Sequence, residues 1–284
     1  MSDSKFNSVV VLDAIPEGEL NTARRLKGDL QDIACYDANG LQVRYWRLKE
    51  RNDLKSCITS ILVEIEQNHL IPWFHLDGHG LADENGFVFA GGSSCSWQQF
   101  KDIITPINVA TNMNLIVILS TCFGGSFTRA LETTDRAPVL GLIGPTKEVT
   151  AGEVDKAFPS FYKTLFDSLS LKKALNALDK ETHSGLYYRT TAQNFFYDVW
   201  ANYKTNLCTQ KALENRAKQM RKKLEEQKIL PLPSVDQIIG GLRSEESHLF
   251  EKYRDFYFMY DLDGNNKKRF PVTYEVAESY ATNR

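Results

Sequence analysis

Short apolar runs of strand length alternate along the chain with stretches that repeat at helical spacing, and this alternation most constrains the fold. The run VVVL at residues 9–12 is followed by an amphipathic pattern over residues 17–36. Strands that alternate with helices are typical of a parallel sheet covered by helices on both faces, which predicts an α/β fold over residues 7–182. Later strands are predicted at residues 41–46, 72–76, 86–92, 114–120 and 139–144, and later helices at residues 52–68, 96–108, 126–132, 153–169 and 171–182.

Two of these strands end in glycine-containing loops that carry reactive side chains. One strand leads into HLDGHG at residues 75–80, and another leads into LSTCFGG at residues 119–125. If the two strands are neighbours in a parallel sheet, His79 and Cys122 leave it side by side at its carboxyl edge, where open α/β sheets place their chemistry. A thiol beside an imidazole is the minimal equipment for nucleophilic cleavage of an amide or ester. The two loops therefore predict a cysteine peptidase.

The residue types in these loops predict a role for each member. Cys122 is the expected nucleophile, and His79 is the base that takes its proton and later protonates the leaving amine. Gly80 has no side chain to obstruct its N–H, so the backbone N–H groups of Gly80 and Cys122 are predicted to bind the oxyanion. His75 is expected to point inward from its strand, which predicts a structural role.

Composition and charge exclude other classes of protein. The formal net charge of −2 over 284 residues gives no general attraction to nucleic acid or to an anionic membrane. No apolar run reaches the roughly 20 residues that span a bilayer, and the N-terminus lacks the features of a signal peptide. Five cysteines without a CxxC pair predict no disulfide framework and no zinc knuckle. We therefore expect a cytoplasmic chain with a free thiol at Cys122 and without nucleic-acid or membrane partners.

Two patterns that suggest a metal are incomplete. His75 and His79 near Cys122 resemble part of a zinc site, but no fourth ligand is apparent. The stretch DLDGN at residues 261–265 suggests a calcium loop, yet its glycine comes too early for an EF-hand and Val272 stands where the bidentate glutamate is required. The sequence therefore predicts a turn at residues 261–266, no metal site and no cofactor.

The two loop motifs resemble those of a known family. The pattern His75-x-x-x-His79-Gly80 and the pattern Leu119-Ser120-x-Cys122-x-x-Gly125 look like the His and Cys motifs of the caspase-like (clan CD) cysteine peptidases, and they are most similar to the CHAT branch. The stretches FYxxL at residues 161–165 and SLxxAL at residues 170–175 also resemble the end of CHAT domains. The resemblance covers roughly residues 7–205.

The resemblance implies a caspase-hemoglobinase fold, a His/Cys dyad and endopeptidase activity without a metal. By this resemblance His79 is the general base and acid, Cys122 is the nucleophile, and Gly80 and Cys122 supply the oxyanion donors. Bacterial relatives often act in defence or regulated cell death, so cleavage of one or a few proteins is implied here. CHAT domains often come fused to sensor domains, which implies activation by a separate protein or by loop cleavage within residues 83–98 or 145–155.

The substrate pocket departs from the caspase pattern. Ser120 stands where caspases carry glutamine, so the preference of caspases for aspartate is not expected. Asp13, Glu148 and Glu153 occupy positions where relatives build the pocket for the residue before the scissile bond. Acidic side chains there would favour arginine or lysine substrates, although surface or capping roles explain these residues equally well.

The C-terminal part has a different character, and the domains are predicted at residues 1–205 and 206–284. A charged helix is expected over residues 208–228, followed by an aromatic β-hairpin from residues 256–260 and 270–274. The hairpin has too much apolar surface to stay in water, so this α+β extension is expected to pack on the peptidase domain or to bind a partner. Two other functions remain open: a catalytically silent scaffold or interaction module, and another thiol-dependent hydrolase or acyltransferase.

Overall fold

The structure, a computed structural model, describes residues 5–36, 40–183 and 185–283. The described residues form two compact units. The first unit runs to Glu132 and resumes with Ala137–Ala192, and the second combines Thr133–Arg136 with the residues from Gln193 onward. The division of function between residues 1–205 and 206–284 stays a prediction.

The first unit alternates strands and helices, as its apolar pattern predicts. Its elements are β1 (Ser8–Asp13), α1 (Thr22–Tyr36), β2 (Gln42–Arg47), α2 (Arg51–Asn68), β3 (Pro72–Asp77), β4 (His79–Gly80), β5 (Gly86–Val88), β6 (Ser94–Ser96), α3 (Trp97–Ala110), β7 (Ile116–Ser120), β8 (Gly141–Pro145), α4 (Ala151–Ser168), α5 (Leu171–Glu181) and β9 (Tyr187–Thr191). A short 3-10 helix, Gly124–Ala130, follows the Cys122 loop where an α-helix is predicted.

The main sheet of the described residues has six strands in the order β2-β1-β3-β7-β8-β9. The first five strands are parallel, and β9 joins the edge antiparallel to β8. The prediction of an α/β fold with a mostly parallel sheet is confirmed. The sequence does not predict β9, because YYRTT forms no apolar run and its burial pattern at the sheet edge does not alternate.

Helices cover the sheet because both faces of its strands are apolar. Val9, Val11 and Trp73 lie on one face and share a buried cluster with residues of α1, α4 and α5. The alternating residues Val10 and Phe74 are equally buried, so the opposite face is covered as well. A strand buried on both faces has a continuous apolar sequence such as VVVL. Two such strands end in the loops that carry His79 and Cys122.

The second unit is helical. Its elements are α6 (Ala192–Leu207, which starts at the end of the first unit), α7 (Gln210–Glu226), α8 (Val235–Ser244), α9 (Glu246–Tyr257), α10 (Asn266–Arg269) and α11 (Tyr274–Thr282). The charged helix predicted at residues 208–228 corresponds to α7. None of the helices in the described part of the chain is long and apolar enough to cross a membrane.

The aromatic hairpin predicted at residues 256–260 and 270–274 is wrong, and so is the α+β character of this region, because its described residues contain no strand. Phe250 and Tyr257 lie two helical turns apart on α9, and both rings contact Phe196, with centroids at 5.5 and 5.4 Å. Burial of one helical face thus outweighs the preference of aromatic residues for strands.

Candidate active site

The strands that carry the two loops are neighbours. β3 and β7 are parallel and adjacent, with Asp77 paired in register with Ser120. His79 and Cys122 each follow these paired residues by two positions, so both leave the carboxyl edge of the sheet at the same level. This confirms the predicted adjacency of the two strands and places the imidazole and the thiol on the rim of one cleft.

The backbone of Gly80 lies directly against the backbone of Cys122. A Cβ atom on Gly80 would stand 2.0 Å from the carbonyl oxygen of Cys122 and 2.8 Å from its carbonyl carbon. No side chain fits at that distance, and only glycine permits this approach. The glycine after His79 is thus what allows the two loops to touch.

Two backbone N–H groups at this contact form no hydrogen bond with the described residues. Leu81 N donates to Gly86 O at 2.9 Å, and Gly80 pairs with Phe87 one position earlier on the same two antiparallel strands. Hydrogen-bonded and non-hydrogen-bonded pairs alternate in such a ladder, so the N–H of Gly80 points away from β5. The N–H of Cys122 makes no hydrogen bond within the described residues. Both groups predicted as oxyanion donors are therefore free to bind an external oxygen.

The imidazole of His79 is held by a carboxylate that sequence reasoning did not identify. His79 Nε2 lies 2.7 Å from Glu19 Oε2, and both side chains are about half exposed. Glu19 falls inside the helix predicted over residues 17–36, but the helix begins at Thr22 and leaves Glu19 in the loop after β1. Because β1 is parallel and adjacent to β3, its following loop emerges at the same edge as His79, and this topology was the available signal.

The sulfur of Cys122 contacts the chain after β8. Val149 N donates to Cys122 Sγ at 3.5 Å, and the thiol lies 3.6 Å from Val149 O. The cleft between the His79 and Cys122 loops has a volume of only ≈ 60 Å³, room for a few water molecules. The structure thus brings His79 and Cys122 to one cleft. In it the imidazole Nε2 is bonded to Glu19, and the sulfur is bonded to Val149.

A buried polar row supports the floor of the cleft. His75 is fully buried, and its Nδ1 lies 3.2 Å from Tyr162 OH while its Nε2 lies 3.1 Å from Ser120 Oγ. Burial lowers the pKa of His75 to about 3, so this histidine is neutral at ordinary pH. The inward orientation predicted for His75 is confirmed. Ser120 is buried and lines the cleft, and its predicted role in binding substrate stays a prediction.

Asp77 is the buried carboxyl group on this floor. Thr22 Oγ1 donates to its Oδ2 at 2.6 Å, and burial raises the pKa of Asp77 to about 7. Thr22 and Asp77 both line the cleft with His79. Asp77 lies within the HLDGHG motif, but nothing in the sequence shows how a buried carboxylate will be neutralised, so no role is predicted for it.

The three acidic residues predicted for the substrate pocket lie elsewhere. Asp13 is fully buried, and its Oδ1 forms an ion pair with Arg47 Nη1 at 2.5 Å. Glu148 is exposed, and Glu153 caps α4 through Thr150, whose hydrogen bonds lower the pKa of Glu153. All three are described residues, and none of them lines the cleft. Their role in binding substrate stays a prediction.

The comparisons with known proteins add no family assignment. The sequence matches no model of a known protein family, and no curated protein shows significant similarity to it. Among the described residues, no group of three or more histidine, cysteine, aspartate or glutamate side chains is arranged to hold a metal ion. The geometry of the cleft is therefore the main guide to function.

Proposed function

We propose that this chain is a cysteine endopeptidase of the caspase-like type, with a caspase-hemoglobinase fold and a His79/Cys122 dyad. The observation that carries the proposal is the contact of Gly80 with Cys122, since it joins the two motif loops at the carboxyl edge of the sheet. In this proposal the protein works in the cytoplasm, where the thiol stays reduced, and cleaves one or a few proteins.

The chemistry follows from the groups in the cleft. Cys122 Sγ attacks the scissile carbonyl carbon while His79 takes the thiol proton, and the free N–H groups of Gly80 and Cys122 stabilise the oxyanion. His79 then protonates the leaving amine as the C–N bond breaks, which leaves a thioester. Water attacks the thioester with His79 as base, and the acid product and the thiol are released. Glu19 orients the imidazole through Nε2, which leaves Nδ1 for the proton transfers.

Catalysis in this form requires a local rearrangement. The sulfur has to leave Val149, and the cleft has to widen from ≈ 60 Å³, because ligand sites usually measure about 300–1,000 Å³. Val149 lies in the segment 145–155, one of the two segments where activating cleavage is expected. A partner protein or a cut in this segment would therefore act directly on the nucleophile.

In this proposal Asp77 replaces Asp13 as the acid that selects the substrate. Asp77 lines the cleft, and none of the described lysine or arginine side chains forms an ion pair with it. A substrate lysine or arginine before the scissile bond would supply the missing cation. Asp13, in contrast, is already neutralised by Arg47.

A second candidate function is a catalytically silent scaffold. The observation in its favour is that His79 is bonded to Glu19 and Cys122 to Val149, so the described conformation does not join the dyad. Another thiol-dependent hydrolase or acyltransferase would use the same two residues. Both alternatives differ from the peptidase in their response to peptide electrophiles.

The test is labelling with a pool of peptidyl acyloxymethyl ketones that differ in the residue before the ketone. We expect one adduct, on Cys122, that is absent in Cys122→Ala and at least about a hundredfold slower in His79→Ala. Cys35 is the matched control, because it is an exposed thiol and its Cys35→Ala variant should label like the wild type. Labelling that persists in Cys122→Ala, or none under any condition, would contradict the peptidase proposal.

A further inference from the structure

The helical unit contains an enclosed aromatic pocket that the proposed peptidase does not use. This pocket, called here the α6–α9 pocket, lies between α6, α7 and α9 and has a volume of ≈ 300 Å³. That volume suits a small organic molecule. Five of its lining residues are aromatic: Phe196, Trp200, Tyr203, Phe250 and Tyr253.

The faces of these rings are already covered by cations of the protein itself. Lys204 Nζ lies 5.9 Å from the ring centroid of Trp200, and the Arg216 guanidinium lies 5.8 Å from that of Tyr203. An aromatic pocket commonly binds a cation through the negative faces of its rings. Here the protein supplies those cations, so these two ring faces are already occupied and are not open to a cationic ligand.

Of the cations around the rings, Arg216 keeps its charge available. Lys204 is neutralised by Glu246 and by Glu278 at 3.0 Å. Arg216 lines the pocket, donates to the carbonyl of Leu207 at 3.1 Å and also bonds to the Tyr203 side chain, and none of the described carboxylates forms an ion pair with it. The guanidinium is therefore an uncompensated positive charge beside an apolar cavity.

The carboxylate in the pocket wall, Glu246, is bonded to partners inside the unit and not to Arg216. Glu246 is largely buried, and its Oε1 accepts from Lys204 and from Tyr274 OH, the latter at 2.7 Å. Its Oε2 lies 3.5 Å from Cys208 Sγ. These bonds lower the pKa of Glu246 against the effect of burial and keep it paired with Lys204.

From this arrangement we infer that the α6–α9 pocket binds a small amphipathic anion, a molecule with an apolar body of two or three rings and one carboxylate, sulfonate or phosphate group. The apolar body lies among Trp200, Phe250 and Tyr253, and the anionic group pairs with Arg216. The inference rests on the second unit alone and does not depend on the activity of Cys122.

The test compares two fluorescent probes on the full chain. 8-Anilino-1-naphthalenesulfonate carries the anion, and N-phenyl-1-naphthylamine has the same rings without it. We expect the sulfonate to bind at least tenfold more tightly than the neutral amine, with unchanged affinity in Cys122→Ala. Equal affinity of the two probes, or no binding of the sulfonate, would overturn the inference.

Substitutions in and near the pocket test whether the sulfonate group of the probe binds at Arg216. Arg216→Gln should weaken sulfonate binding at least tenfold without changing binding of the amine, whereas Arg216→Lys should keep most of it. Arg221→Gln is the matched control, because Arg221 lies on the same helix and bonds to Pro233 O away from the pocket. Leu249→Trp, at the exposed rim, should weaken both probes. Equal effects of Arg216→Gln and Arg221→Gln, in variants with unchanged circular dichroism, would overturn the assignment.

Discussion

Asp13 and Asp77 end neighbouring strands and pair with each other in register, yet their surroundings are opposite. Both are buried. Asp13 accepts from Arg47, Tyr45 and a backbone amide, so its charge is compensated inside the protein. Asp77 receives the hydroxyl of Thr22, and its pKa is raised to about 7 by burial.

The difference follows from the order of the strands. Across the sheet, Arg47 of β2 pairs with Asp13, Asp13 pairs with Asp77, and Asp77 pairs with Ser120 of β7. Arg47 therefore lies on the strand next to Asp13, whereas β1 separates it from Asp77. One ion pair thus compensates Asp13 inside the protein, while Asp77 has no cation among the described residues paired with it at the floor of the candidate active site.

The largest effect is expected from Arg47→Met. The substitution leaves Asp13 buried without its cation, which should destabilise the fold by about 3–5 kcal/mol in urea unfolding. The matched variant at the other aspartate is Thr22→Val, which removes a single hydroxyl donor and should cost about 1–3 kcal/mol. A larger loss of unfolding free energy for Thr22→Val than for Arg47→Met would contradict the proposed difference between Asp13 and Asp77.

Asp77→Asn should change stability in a pH-dependent way. Since the pKa of Asp77 rises from 3.8 to about 7 on folding, the folded state holds its proton more tightly, and stability falls as pH rises from about 4 to 7. The variant should therefore be more stable than the wild type at pH 8, by on the order of 2–4 kcal/mol, and similar at pH 4. Asp13→Asn should destabilise at pH 8, and equal behaviour of the two variants would contradict the assignment.

A third carboxylate, Glu19, lies at the same edge of the sheet, and its substitution should have the smallest free-energy effect of those considered. Glu19→Gln keeps the shape of the side chain but weakens the orientation of His79, so kcat/KM should fall about tenfold, or about 1.4 kcal/mol, mostly through kcat. Glu17→Gln is the control, because Glu17 lies in the same loop and pairs with Lys49 instead. Equal activities of the two variants would remove Glu19 from the site.

The sequence predicts the frame of the site because local patterns determine it. Apolar runs identify β3 and β7, and the glycine after His79 indicates the close approach that Gly80 makes to Cys122. Glu19 and the role of Asp77 were not predicted, because they depend on where α1 begins and on which strands lie beside Asp77. Asn21, whose side chain caps the helix at Arg24 N, was the local signal for the start of α1, whereas the neighbours of Asp77 have no local signal in the sequence.

The C-terminal error has a related cause. The aromatic residues around Tyr257 favour strands by intrinsic preference, and this preference led to the predicted hairpin. In the structure α9 places Phe250 and Tyr257 on one face, where they contact Phe196 from a distant part of the chain. Tertiary burial of this kind cannot be derived from the aromatic run itself.

Whether His79 and Cys122 form a peptidase dyad is tested most directly by cleavage of a proteome-derived peptide library, with the new N-termini identified by mass spectrometry. The wild type, activated if necessary by a cut within residues 145–155, should cleave internal bonds, with lysine or arginine enriched before the cut. Cys122→Ala and His79→Ala should each reduce cleavage by about a thousandfold or more. Cleavage that survives in Cys122→Ala would contradict the assignment of His79 and Cys122 as a catalytic dyad.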